Sequence, residues 1–187
     1  MEITILGIAW VLYFFVHSFL ASQSAKSLIQ RKTPFLFTYY RILYNLIALG
    51  GLIPLIIQSV LIPDPYLFDR NLVAGYSITA LGLVFLILAF MAFDGAEFLG
   101  FKAEEKPVLV QTGMYQYVRH PLYFATIILI LGLFLLIPTQ KMGLVLFISY
   151  VYILVGYRLE EGKLVMVFGE EYITYKKRVK ALIPYVY

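Results

Sequence analysis

Apolar residues fall in long unbroken runs along this chain, and the polar ones gather between and after them. A membrane crossing needs about 20 mainly apolar residues for a hydrocarbon layer roughly 30 Å thick. Three runs meet that length: Ile3 to Ala21, Ile42 to Ile62 and Leu72 to Phe93. A fourth, Tyr123 to Ile137, and a fifth, Met142 to Tyr157, are shorter and are separated only by Pro138-Thr139-Gln140-Lys141. Together they predict a tight helical hairpin that is tilted, partly interfacial or seated in a locally thinned bilayer. The runs are continuous rather than alternating, so the backbone is satisfied by helices and not by a membrane barrel. The expected fold is all-α: a polytopic membrane bundle of about five transmembrane helices with a C-terminal helical cap on the cytoplasmic side. No repeat, low-complexity tract or linker interrupts it. A single integral membrane domain is expected over 1–187, with three spans in 1–93 and the chemistry in 94–187.

Composition supports lipid as the solvent. Of 187 residues, 61% are hydrophobic and 14% charged, against about a quarter charged in soluble domains. The absence of cysteine excludes disulfides, thiolate metal sites and a cysteine nucleophile. Two histidines are too few for a histidine-rich metal site, so no metal is expected, and no nucleic-acid partner. The expected partner is the lipid bilayer; nothing in the pattern specifies an oligomeric state.

Lys and Arg orient the chain. Lys26, Arg31, Lys32 and Arg41 follow span one. Lys102, Lys106 and Arg119 lie between spans three and four. Arg158, Lys163, Lys176, Lys177, Arg178 and Lys180 follow span five. Only Arg70 and Lys141 fall on the other side. The N-terminus is therefore expected outside and the C-terminus in the cytoplasm, across the inner membrane if the source is bacterial. The first run follows Met1-Glu2 without a basic leader and reads as a retained span rather than a signal peptide.

Two polar clusters fall on that cytoplasmic side. One contains Asp94, Glu97, Lys102, Glu104, Glu105, Lys106, Tyr115, Tyr117, Arg119 and His120; the other holds Arg158, Glu160, Glu161, Lys163, Glu170, Glu171, Tyr172 and Tyr175. The hairpin predicts that Arg119, His120 and Tyr123 meet Arg158, Glu160 and Glu161. Pro121 suits the first turn of a helix. His120 then sits among unpaired backbone N–H groups, a favourable place for a carboxylate, and Arg119 adds a bidentate donor. Gly113 permits a tight turn. Glu160 and Glu161, with rings from Tyr115, Tyr123, Tyr157, Tyr172 and Tyr175, form a cradle suited to a cation. Plainer readings exist for each. The tail cations and most tyrosines suit the membrane interface, the glutamates suit surface pairing, and His120 suits a helix end. His17 within span one, and Tyr44-Asn45 within span two, are either structural hydrogen-bonding groups or functional ones.

Gly113-Met114-Tyr115-Gln116-Tyr117-Val118-Arg119-His120-Pro121-Leu122-Tyr123 resembles the G-x-Y-x-x-x-R-H-P-x-Y motif of integral membrane methyltransferases. That superfamily includes isoprenylcysteine carboxyl methyltransferases and phospholipid N-methyltransferases. Glu160-Glu161, Leu164, Phe168-Gly169, Glu171-Tyr172 and Tyr175 resemble the segment that closes the same proteins. His17-Ser18-Phe19-Leu20-Ala21-Ser22, Lys26 and Phe98-Leu99-Gly100 are similar to the NnrU and methanethiol S-methyltransferase branch. The resemblance implies S-adenosylmethionine as methyl donor. It implies donor contacts at Gly113, Tyr115, Arg119, His120, Tyr123, Glu160, Glu161, Tyr172 and Tyr175, with Arg119, His120 and Glu161 as the catalytic candidates. A thiol, a prenylcysteine carboxylate or a lipid headgroup is the implied acceptor, with His17, Arg41, Tyr44, Asn45 and Asp94 as candidate liners. Ala125 departs from the glycine that many relatives carry there. Membrane sterol reductases, which bind NADPH, share R-H-P-x-Y but continue with Gly-Glu, where this chain has Phe124-Ala125. That reading, and a non-enzymatic NnrU-like protein, are the alternatives.

Overall fold

The computed structural model describes residues 3–92 and 108–186. Among these the chain is helical, with two isolated bridges and no strand. Helix α1 spans Ile3–Ala21, α2 Gln23–Lys32, α3 Pro34–Phe37 and α4 Tyr40–Ile56, followed by α5 Leu72–Phe90. The second half holds α6 Pro121–Leu136, α7 Gln140–Phe168 and α8 Glu170–Arg178. Four helices are long and apolar enough to cross a membrane: α1, α4 with its extension to Leu61, α5 and α7. Helix α6, with 16 residues, is the shorter fifth. The chain is thus a polytopic helical bundle.

The fifth apolar run, Met142 to Tyr157, is shorter than the helix that carries it: α7 has 29 residues and runs on to Phe168. Hydropathy falls at Arg158, but no residue from there to Phe168 breaks a helix. Gly169 does, at φ 54, a left-handed value that a side chain disfavours. At 1.5 Å per residue α7 is about 44 Å long, so its charged end stands clear of the hydrocarbon. The hairpin pairs a short helix with a long one.

Close backbone approach positions α6. A Cβ on Gly82 of α5 would lie 2.6 Å from the Leu129 nitrogen, and one on Gly132 of α6 would lie 2.4 Å from the Thr79 nitrogen. Lipid tails are as apolar as Leu, so contact of this kind, rather than water exclusion, joins helices in a bilayer. On the other flank Leu6, Trp10 and Val145 join α1 to α7. Pro54 removes an N–H inside α4, and the helix continues as a π turn over Ile57–Leu61. That turn buries Ser59, which accepts from Trp10 Nε1 at 3.2 Å.

Each end of the hairpin is closed. At its turn, Leu67 N donates to the Pro138 carbonyl at 2.7 Å, and Lys141 Nζ to the Pro63 carbonyl at 3.3 Å. At its mouth, Arg119 N donates to the Lys180 carbonyl at 2.8 Å and His120 N to the Ala181 carbonyl at 3.0 Å. Ala181 and Leu182 then bury against Ile153 and Tyr157 of α7. The segment after α8 is thereby stitched to the start of α6.

Candidate functional site at the mouth of the hairpin

Pro121 opens α6, and proline disfavours helical geometry in the residue before it. His120 accordingly sits at φ −124 as the N-cap, with its ring turned toward α7. The ring is 5% exposed. Its Nδ1 lies 3.6 Å from Glu160 Oε2, and its Nε2 3.4 Å from Glu161 Oε1. The second distance is within reach but poorly aligned, so Nε2 remains a buried nitrogen without a hydrogen bond. The rings of Tyr123 and Tyr157 both lie 5.6 Å from the imidazole, Tyr123 stacked on it.

The two glutamates differ sharply. Glu161 is buried and spends both oxygens within the protein. Arg119 donates to Oε1 from Nε at 2.8 Å and from Nη2, and Lys176 donates to Oε2 at 2.6 Å. Arg119 also donates through Nη1 to the carbonyls of Lys176, at 3.2 Å, and Val179. This cluster ties α6, α7 and α8 together. Glu160 has a side chain 45% exposed and faces the Tyr123 hydroxyl. It is the carboxylate still open to a ligand.

Three tyrosines complete the mouth. Gly113, at φ 60, starts a 3-10 turn over Gly113–Gln116 that carries Tyr115. The Tyr175 hydroxyl donates to the Tyr115 carbonyl. Tyr172 is 1% exposed, with its ring 5.9 Å from that of Tyr175. Its hydroxyl lies beside the Arg119 guanidinium. Burial pushes Tyr175 up to about 12. Burial, and then the Glu160 carboxylate, raise Tyr115; burial, and then the Glu161 carboxylate, raise Tyr172. All three stay neutral hydroxyls. Beside the Arg119–Glu161 pair opens a cleft of about 620 Å³ between Tyr157, Gly162 and Val165 of α7 and Lys176, Ala181 and Val186.

The fold therefore gathers Tyr115, Arg119, His120, Tyr123, Glu160, Glu161, Tyr172 and Tyr175 in one place, with Gly113 starting the turn beneath them. Arg158, three residues from Glu161, lines the same cleft, lies over the Tyr157 ring at 5.3 Å and donates to the Leu154 carbonyl. His17 and Tyr44 meet one another elsewhere, between α1 and α4. Arg41 stands on the first turn of α4 near Lys26, and Asn45 follows Tyr44. Asp94, Glu97, Lys102, Glu104, Glu105, Lys106 and Phe98-Leu99-Gly100 lie outside the described residues. Lys176, one of the tail cations that suit the membrane interface, also holds Glu161. Its signal was the register of α8: it falls four residues after Tyr172, so both face the mouth.

Residues 71–171 match the phospholipid methyltransferase family. The chain is 34% identical over 122 residues to a methanethiol S-methyltransferase of Crocosphaera subtropica, a match covering 59% of this chain and 46% of that protein. It is 42% identical over 74 residues to methanethiol S-methyltransferase 1 of Bradyrhizobium diazoefficiens, covering 38% and 25%. It is 32% identical over 141 residues to the protein-S-isoprenylcysteine O-methyltransferase of Saccharomyces cerevisiae, covering 70% and 59%. The matches thus span between a quarter and about three fifths of these relatives. No solved structure matches.

Proposed function

Since the chain belongs to the phospholipid methyltransferase family and is a multi-pass integral membrane protein, we propose that it is an S-adenosylmethionine-dependent methyltransferase acting on a small thiol or lipophilic acceptor. The observation that carries this reading is His120: a buried ring with an unpaired nitrogen, flanked by an accessible carboxylate and two tyrosine faces.

The donor carries an ammonium, a carboxylate and a sulfonium, and supplies a methyl carbon already activated by positive sulfur. The residues fit each group. Glu160 holds the ammonium. His120 Nε2 and the first turn of α6 hold the carboxylate. The faces of Tyr123 and Tyr157 receive the sulfonium, and Tyr172 offers its hydroxyl to the nucleoside. Arg119, Glu161 and Lys176 act one step back: they fix α6, α7 and α8 so that these groups converge. In-line displacement asks chiefly for alignment and exclusion of water, and the burial of His120 and Tyr172 supports this reading. In this reading 94–187 is the donor-binding core of a single domain, the mouth faces the cytoplasm and the N-terminus lies outside.

Calorimetry on the purified protein in detergent tests the donor. Expected is binding of S-adenosylhomocysteine but not NADPH, weakened at least about tenfold, or 1.4 kcal/mol, by Glu160→Gln or His120→Ala. Folded protein that binds neither ligand would sink the assignment. Labelled donor offered with methanethiol, a prenylcysteine and an aminophospholipid then reads the acceptor.

A further inference from the structure

The cleft beside the Arg119–Glu161 pair faces away from the open carboxylate. An α-helix turns about 100° per residue, so α7 rotates by about 200° between Glu160 and Gly162. Glu160 turns toward His120 and Tyr123. Gly162 instead lines the cleft of about 620 Å³, with Arg158 and Val165 of the same helix. The facing wall is Lys176 of α8 and, from the strap 179–186 that follows it, Lys180 and Val186. Leu159 and Val155, three and seven residues before Gly162, share its face of α7 and are exposed. The cleft therefore borders the lipid-facing side of α7.

Depth and charge decide what such a cleft takes. Helix α7 starts at Gln140 on the far side of the bundle, and about 20 residues cross a hydrocarbon layer of roughly 30 Å. Arg158 therefore lies at the near edge of the hydrocarbon, and Gly162 about 6 Å beyond it, at the level of the lipid headgroups. Among the described residues that line the cleft, Arg119, Arg158, Lys176 and Lys180 are cations and Glu161 is the carboxylate. Glu161 gives its oxygens to Arg119 and Lys176, which offsets part of that charge and leaves the lining positive. Arg158 reaches the Leu154 carbonyl and the Tyr157 face, and Lys180 is exposed at the rim. Basic pockets at a membrane boundary suit phosphate headgroups. A headgroup whose acyl chain runs down Leu159 and Val155 uses both the cations and the apolar wall; a free anion uses the cations alone.

We infer that this cleft binds the phosphate headgroup of one anionic phospholipid, and that the bound lipid braces the strap that holds Arg119 and His120. The lipid is not a methyl acceptor. Cleft and Glu160 lie on nearly opposite sides of α7, and phosphatidylglycerol, the probe below, carries no amine, thiol or carboxylate. The site needs no methyl donor, so it stands apart from the methyltransferase reading. The brace follows from the strap's own bonds. Lys180 and Ala181 give their carbonyls to the N–H groups of Arg119 and His120, and Val118 pairs with Lys180 as a parallel bridge. Ala181 and Leu182 fix the strap from inside, against Ile153 and Tyr157. A headgroup held between Lys180 and Arg158 fixes it to α7 from outside. A lipid that binds only the docked strap stabilises that state by mass action.

Native mass spectrometry of the full chain, released from nanodiscs of mixed phosphatidylglycerol and phosphatidylcholine, reads the site. One phosphatidylglycerol is expected to stay bound. Lys180→Gln is expected to weaken it about fivefold, the share of one cation near an anionic headgroup. Lys32→Gln, an equal loss of charge from exposed α2, is expected to leave it unchanged. At Gly162 a Cβ meets nothing within 4 Å, so Gly162→Leu fills the cleft without altering charge, and retention is expected to be lost. Equal retention of the two headgroups, or equal losses in Lys180→Gln and Lys32→Gln, overturns the site. Displacement by inorganic phosphate would make the ligand a free anion, and displacement by S-adenosylhomocysteine would make the cleft part of the donor mouth; either overturns it too. Hydrogen exchange at the Arg119 and His120 amides reads the brace. In detergent, exchange is expected to slow about tenfold when short-chain phosphatidylglycerol stands at ten times its Kd, and to keep its lipid-free rate in Gly162→Leu. Unchanged exchange in wild type overturns the brace. Should Gly162→Leu fail to accumulate, Lys180→Gln carries both tests. A protein that retains phosphatidylglycerol but binds no S-adenosylhomocysteine removes the methyltransferase reading and leaves the lipid site standing.

Discussion

Adjacent glutamates of the same type have different work because one is buried and one is not. Glu161 compensates the buried Arg119, and breaking such a pair leaves a charge stranded away from water. Glu161→Gln is expected to destabilise the protein by about 3 kcal/mol, seen as a lowered thermal midpoint in detergent. Glu160→Gln leaves that midpoint nearly unchanged, within about 0.5 kcal/mol, and weakens donor binding instead. Equal midpoints for the two variants would contradict this division. The three mouth tyrosines carry a pH prediction. Their ionisation is displaced upward, to about 12 for Tyr175, so each keeps its proton well above the ordinary tyrosine value of about 10. Any fall in S-adenosylhomocysteine affinity as pH rises to about 10 is therefore expected to come from the ligand's own ammonium and to be the same in Tyr175→Phe as in wild type. A fall that Tyr175→Phe removes would show that a mouth hydroxyl ionises early. The glutamate pair was legible as a pair in the sequence. Which member stays open was not, since that depends on Arg119 and Lys176 arriving from 42 residues before and 15 after.

The elements that matter most at the next scale are α5 and α6. Their contact has no spare room at Gly132, where a Cβ would fall 2.4 Å from backbone that cannot swing aside. Gly132→Val is expected to push the helices apart and cost about 1–3 kcal/mol. Gly143→Ala, whose Cβ meets only the edge of the Phe134 ring at 3.4 Å, serves as the tolerated comparison. The check is the thermal midpoint of each variant beside wild type; equal midpoints would argue against the tight crossing. Four helices follow the sequence's apolar runs closely, because a run of that length must be satisfied along its own backbone. The extension of α7 escaped the hydropathy reading because hydropathy marks where lipid ends, whereas Gly169 marks where the helix ends. Likewise, Pro54 is plain in the sequence, but the π turn that absorbs it and presents Ser59 to Trp10 is a tertiary outcome.

For the whole molecule, orientation is the open physical quantity, and the absence of cysteine makes it directly measurable. Single substitutions Asp69→Cys and Lys177→Cys each introduce the one reactive thiol. An impermeant maleimide applied to sealed right-side-out vesicles is expected to label position 69 and to reach position 177 only after permeabilisation. The reverse pattern would invert the topology drawn from Lys and Arg. The sequence by itself determined that the chain dissolves in lipid, how its apolar runs divide, and which two polar blocks meet. Those properties follow from hydrocarbon thickness, backbone hydrogen bonding and a tight hairpin turn, all of them local. Only the tertiary structure decided that the C-terminal segment locks Arg119 and His120 in place, that Glu160 and not Glu161 remains accessible, and that His17 and Tyr44 meet between α1 and α4. Those outcomes require side chains far apart in sequence to compete for the same few buried partners, and that competition is resolved only when the helices pack.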